Sequence, residues 1–111
     1  MGYSRAVVKG DWCFVSGTTG YDYASMTMPD DPADQARNAF RTILSVLTEA
    51  GFAPADIVRV RYTVTDATIV EDIAPVLGEA LGTIRPAATM IVAGLIRPEM
   101  KVEIDVTALR A

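Results

Sequence analysis

Apolar and polar positions along this chain fall into seven segments with two periods. Arg5–Val8 and Trp12–Ser16 are short apolar runs joined through Lys9-Gly10-Asp11, which predicts two strands in a hairpin. Gly17-Thr18-Thr19-Gly20-Tyr21 follows as a glycine-punctuated loop, able to cradle an anion with its backbone N–H groups or to serve as a plain turn. Asp31 and Pro32 form a cap and first-position pair for a helix. Its apolar stripe is Ala36, Phe40, Ile43, Leu44 and Leu47, and Gly51 closes it as a left-handed cap.

The second half repeats the scheme. Ile57–Thr65 alternates, with Val58, Val60, Tyr62 and Val64 on one face and Ile57, Arg59, Arg61 and Thr63 on the other. Thr68 with Glu71 reads as a capping box for a second helix carrying Ile73, Val76, Leu77, Ala80 and Leu81 and ending at Gly82. Pro75 would cost about 3 kcal/mol in mid-helix, so either regular helix starts near Glu71 or the helix kinks. Arg85–Gly94 is a nearly unbroken apolar run and predicts a strand covered on both faces. Lys101–Thr107 alternates strictly, placing Glu103, Asp105 and Thr107 opposite Val102, Ile104 and Val106.

The order is strand, strand, helix, strand, helix, strand, strand. It predicts one α+β domain over residues 1–111, a mixed or antiparallel sheet with both helices on one face. The other face then carries Arg59, Arg61, Glu103, Asp105 and several threonines among apolar neighbours, a mixture suited to a subunit interface. Half of the residues are apolar. A domain this small cannot hide that much apolar surface alone, so a homo-oligomer is expected.

Composition narrows the chemistry. The chain has no histidine, which removes the commonest general base and metal ligand, and no metal is expected. Ser-His or Cys-His nucleophilic catalysis within one chain type is excluded. The single cysteine, Cys13, sits in an apolar run and reads as a buried inert thiol in a reducing compartment. A net charge of −4 with no basic stripe disfavours nucleic acid as a partner. No stretch suits a bilayer span or a secretory signal, so a cytoplasmic protein without membrane contact is expected.

Tyr3, Val15-Ser16-Gly17, Pro86-Ala87 and Lys101-Val102-Glu103-Ile104 together resemble the reactive intermediate deaminase (RidA/YjgF) family, also labelled endoribonuclease L-PSP. The likeness spans nearly the whole chain, and the ungapped spacing from Pro86 to Glu103 is its most specific part. The resemblance implies a chorismate-mutase-like protomer and a homotrimer whose sheets form a central barrel. It further implies small-molecule clefts between subunits and cofactor-free hydrolysis of enamines and imines to a keto acid and ammonia. In that family a fourth-strand arginine grips the substrate carboxylate and a fifth-strand glutamate places water. The tyrosine and the Ser-Gly come from the adjacent subunit.

Carried over residue by residue, Tyr3, Ser16, Gly17 and Glu103 match, with Thr18 beside them. The arginine position holds Ala88, and Met90 stands where a cysteine is usual. Without that guanidinium, imines of amino acids are expected to bind poorly. Glu103 either orients water or pairs with Arg59 or Arg61 across strands. Arg85 is either a relocated guanidinium or a rim residue held extended by Pro86, and Arg5 has a similar claim from the other subunit. Ser16 is at most a hydrogen-bond contact, and Tyr3 either meets a ligand or plugs the subunit boundary. Met26, Met28, Met90 and Met100 read as gap fillers. Three functions follow in order: an enamine or imine deaminase, a non-catalytic small-molecule binder or sensor, and, disfavoured by charge, an endoribonuclease.

Overall fold

A computed structural model describes residues 1–111. The apolar alternation produces strands β1 (Ala6–Lys9), β2 (Trp12–Thr19), β3 (Ile57–Val64), β4 (Ala87–Val92) and β5 (Val102–Leu109). Helix α1 (Pro32–Glu49) follows β2, and α2 (Ile69–Leu81) connects β3 to β4. The sheet order is β1-β2-β5-β3-β4, antiparallel except for the parallel β3–β4 pair. Helix α1 packs on β2 and β5, and α2 lies beside α1. The predicted order of elements and the mixed sheet with both helices on one face are therefore observed.

The core forms where the inward faces of β2, β3 and β5 meet α1. Cys13, Val60, Val64, Ile104, Ile43 and Leu47 are each at most 1 % exposed. Burial pushes the Cys13 thiol above its ordinary 9.0, with Arg110 partly opposing, as an unreactive core thiol requires. Asp31 caps α1 by accepting a bond from the Ala33 N–H at 3.1 Å, and Gly51 adopts φ +86° just past its end.

Several local expectations are corrected. β2 runs on through Thr19, so Gly17-Thr18-Thr19 is strand rather than loop. Within it Val15 pairs with Val106 and Thr18 with Ile104, so β2 carries one extra residue at Ser16-Gly17. That bulge reverses the alternation and turns Thr18 into the core, fully buried. A second irregularity separates Ile57 from Arg59, so Ile57 is buried and Val58 is 40 % exposed, the reverse of simple alternation.

Helix α2 opens without the Thr68 capping box. The Asp66 carboxylate instead accepts bonds from the Thr68 N–H at 2.8 Å and hydroxyl at 2.7 Å, which hold it below its usual range. The helix already begins at Ile69, so Pro75 stands inside it rather than in the first turn. Arg85 is not extended but left-handed, with φ +55°. Most consequential is β4: it is one of the two edge strands, and each of its residues is exposed in the single chain rather than covered on both faces. Its apolar run cannot be buried by this chain alone, because its one strand neighbour is β3.

Candidate functional site

Glu103 stands on the sheet face opposite the helices, near the start of β5, with Thr19 directly across on β2 and Thr63 across on β3. The β2 bulge brings Gly17 against it. A Cβ built on Gly17 would lie 2.7 Å from both Cδ and Oε1 of Glu103, so only glycine permits this approach. Glu103 belongs to none of the chain's three ion pairs. Its candidate partners are engaged elsewhere: Arg61 donates to Asp105 at 3.0 Å, and Arg59 donates to Thr89 at 3.0 Å. The ion-pair alternative for Glu103 is therefore not what the chain forms.

The carboxylate borders a cleft of about 580 Å³. Ser16, Gly17 and Thr19 of β2 form its base with Glu103, and Tyr3 and Arg5 form one wall. Ile96, Arg97 and Met100, from the segment between β4 and β5, form another, while Tyr21, Tyr23 and Met26 close the side. The N-terminal wall is tied down by Ser16, whose N–H donates to the Arg5 carbonyl at 2.9 Å and whose hydroxyl donates to the Ser4 carbonyl at 2.5 Å. With its hydrogen so committed, the Ser16 hydroxyl can meet a ligand only as an acceptor.

Opposite it, the buried Gln35 of α1 fixes the Arg97 wall. Its amide nitrogen donates to the carbonyls of Pro29 at 2.8 Å and Glu99 at 2.9 Å, and its oxygen accepts from the Lys101 N–H at 2.9 Å. At the rim the Tyr21 hydroxyl donates to Glu99 at 2.7 Å. That bond raises the Tyr21 phenol and lowers the Glu99 carboxyl from their ordinary values.

Of the residues singled out in the sequence, Tyr3, Ser16, Gly17 and Glu103 meet in this cleft, and they do so within one chain. Arg5 lines the same cleft within this chain. Thr18 does not reach the cleft, its hydroxyl donating to the Ser16 carbonyl at 2.9 Å. Ala88 and Met90 lie on β4 beside Val60 and Tyr62, on the register rows of the helix-side face, and Arg85 follows α2; none lines this cleft. The gap-filler reading of the methionines fails, since none belongs to the core cluster, and Met26 and Met100 line the cleft. Gln35, Tyr23 and Arg97 carried no sequence signal, because tertiary folding alone brings them to β2 and β5.

The comparisons with known proteins agree with this architecture. The family model described as endoribonuclease L-PSP matches residues 1–110. An uncharacterized protein of Streptomyces coelicolor is 29 % identical over 111 residues, covering 99 % of this chain and 83 % of that protein. A Mycobacterium tuberculosis structure, described as a member of the YjgF/YER057c/UK114 family, is 41 % identical. It superposes with a TM-score of 0.89 over 98 % of this chain and 87 % of that one. The YjgF gene product of E. coli shares the fold at a TM-score of 0.91 with 22 % identity, over 98 % of this chain and 88 % of that one. With the family model covering residues 1–110, the chain belongs to the endoribonuclease L-PSP family, that of the YjgF and RidA proteins.

Proposed function

We propose that this chain assembles as a homotrimer and that its cleft hydrolyses a reactive enamine or imine with release of ammonia. In this reading β4 of a neighbouring copy, with Ala88 and Met90, and Arg85 before it, completes the cleft built on Glu103. Glu103 carries the proposal: a half-buried carboxylate, free of any ion pair, facing an open cleft beside a glycine that only its own packing requires. Such a group can accept a hydrogen bond from water and take its proton as the oxygen attacks the C=N carbon. The proton passes to nitrogen to give a carbinolamine. Its hydroxyl proton then moves to nitrogen as the carbon–nitrogen bond breaks, and a carbonyl compound and ammonia leave. An enamine enters the same route as its imine tautomer. One water is consumed, and neither metal nor cofactor is needed. Ser16, available only as an acceptor, suits the N–H of such a substrate, and the Tyr3 phenol closes the wall.

The test is ammonia release from imines generated in situ by an amino-acid oxidase. Glu103→Gln should reduce the rate by about 10²–10⁴-fold, the range for a lost general base. An unchanged rate removes Glu103 from the mechanism.

Ala88 favours a second reading, a non-catalytic small-molecule binder on the same scaffold, because alanine supplies no donor for a carboxylate. Under it the parent protein releases no ammonia, and Ala88→Arg gains the reaction. Cleavage of RNA, the activity in the family description, fits poorly with a net charge of −4 and no histidine.

A further inference from the structure

Two guanidinium groups, Arg5 and Arg97, line the cleft that holds Glu103, its one lining carboxylate. The lining is thus net positive within a chain of net charge −4. Neither arginine belongs to an ion pair. Glu99, the carboxylate nearest Arg97 in sequence, accepts the Tyr21 hydroxyl bond. Arg5 is the better oriented of the two. Its guanidinium lies 4.7 Å from the Tyr23 ring centroid, its Nη1 reaches the Tyr23 hydroxyl at 3.5 Å, and its backbone carbonyl is fixed by the Ser16 N–H. A guanidinium stacked on a ring, with one Nη engaged, keeps its other in-plane N–H donors open to a carboxylate.

We propose that Arg5, held on Tyr23 and assisted by Arg97, binds the carboxylate of the ligand in place of the guanidinium that position 88 lacks. The inference rests on the deaminase reading for the role of Glu103 and deepens it by naming the residue that would set the preference for a charged ligand, Arg5. It reverses the expectation drawn from Ala88, because the clamp comes from the chain that carries Glu103 and not from β4.

The experiment uses propanoate and its uncharged analogue propanamide, titrated into the intact protein and followed by NMR chemical shifts, so that binding is read without turnover. Propanoate should bind at least about tenfold more tightly, the factor that one charge-assisted hydrogen bond supplies. Arg5→Met should bring propanoate down to the level of propanamide while leaving propanamide unchanged. Arg5→Lys, which keeps the charge but not the planar fork, should recover only part of the difference, and Tyr23→Leu should weaken propanoate alone. Arg97→Met should have a smaller effect of the same sign. Equal affinity for the two probes, or propanoate binding that survives Arg5→Met, overturns the proposal.

The two readings fail separately. Arg5-dependent propanoate binding without ammonia release from any imine leaves the clamp standing and removes the deaminase. Glu103-dependent hydrolysis that ignores substrate charge and Arg5 does the opposite.

Discussion

The carboxyl of Glu103 rests on the bare Cα of Gly17, so close that a Cβ there would come within 2.7 Å of it. The group in the way is the far end of a flexible side chain, so Gly17→Ala should swing the carboxylate aside rather than disturb the sheet. We expect the variant to lose activity nearly as fully as Glu103→Gln while changing stability by less than about 1 kcal/mol. Ammonia release and thermal unfolding measured on the same preparation check both halves. A large drop in unfolding temperature would show the contact to be structural.

Gly20 makes the opposite case three residues on. A Cβ there would meet Gln35 at its Cα, 2.4 Å away, and at its backbone oxygen, 2.8 Å away. A helix backbone cannot swing aside, so Gly20→Ala should destabilise the fold by about 1–3 kcal/mol through overpacking. Chemical denaturation of the two alanine variants side by side should rank Gly20→Ala far below Gly17→Ala.

Gln35 is the hinge of the Arg97 wall. Gln35→Leu would leave the Pro29 and Glu99 carbonyls and the Lys101 N–H without their partner. Such losses should cost about 2–4 kcal/mol. Amide exchange is the discriminating measurement: protection should fall at Lys101 and nearby, while the β3–β5 pairing keeps its own.

The larger scheme was legible because it rests on local periodicity. The Asp31-Pro32 cap, the α1 stripe and the alternation of Val102, Ile104 and Val106 each follow from spacing alone. What spacing could not show were the two places where the chain inserts a residue. The Ser16-Gly17 bulge moves Thr18 inward, and the irregularity before Arg59 exchanges Ile57 and Val58; both depend on which partner residue lies opposite. The same holds for the site. Tyr3, Ser16, Gly17 and Glu103 could be named from a family pattern, but Arg97 and Tyr23 reach the cleft on loops whose paths are set by Gln35 and the Asp22–Thr27 bridge. The β4 run misled because apolar content reports a need for cover and not which chain supplies it.

Tyr62 gives a pH prediction with a definite sign. Burial pushes its phenol from 10.0 up to about 12, since the core disfavours the phenolate. A folded-state value above the unfolded one means that this contribution to stability is full below pH 10 and is lost as pH rises from 10 towards 12. Spectrophotometric titration should show one tyrosine ionising near 12, absent in Tyr62→Phe, and that variant should lose less stability across the interval.

The open face of the sheet supplies the test of assembly. Trp12 and Phe14 stack there with centroids 6.1 Å apart, yet they are 42 % and 47 % exposed in the single chain, as is Ile91 of β4 at 42 %. Burying a side chain of that size contributes about 1.5–3 kcal/mol, whereas an unpaired carboxylate in its place opposes burial outright. Phe14→Glu should therefore convert the proposed trimer to a monomer while leaving the helix-side core intact, since Phe14 faces away from it. Phe14 does not line the Glu103 cleft, so any loss of ammonia release in this variant measures the contribution of a second copy. If Phe14→Glu sediments as the parent does, assembly does not use this face; if it is monomeric and fully active, the cleft is complete within one chain and β4 of a neighbour has no part in it.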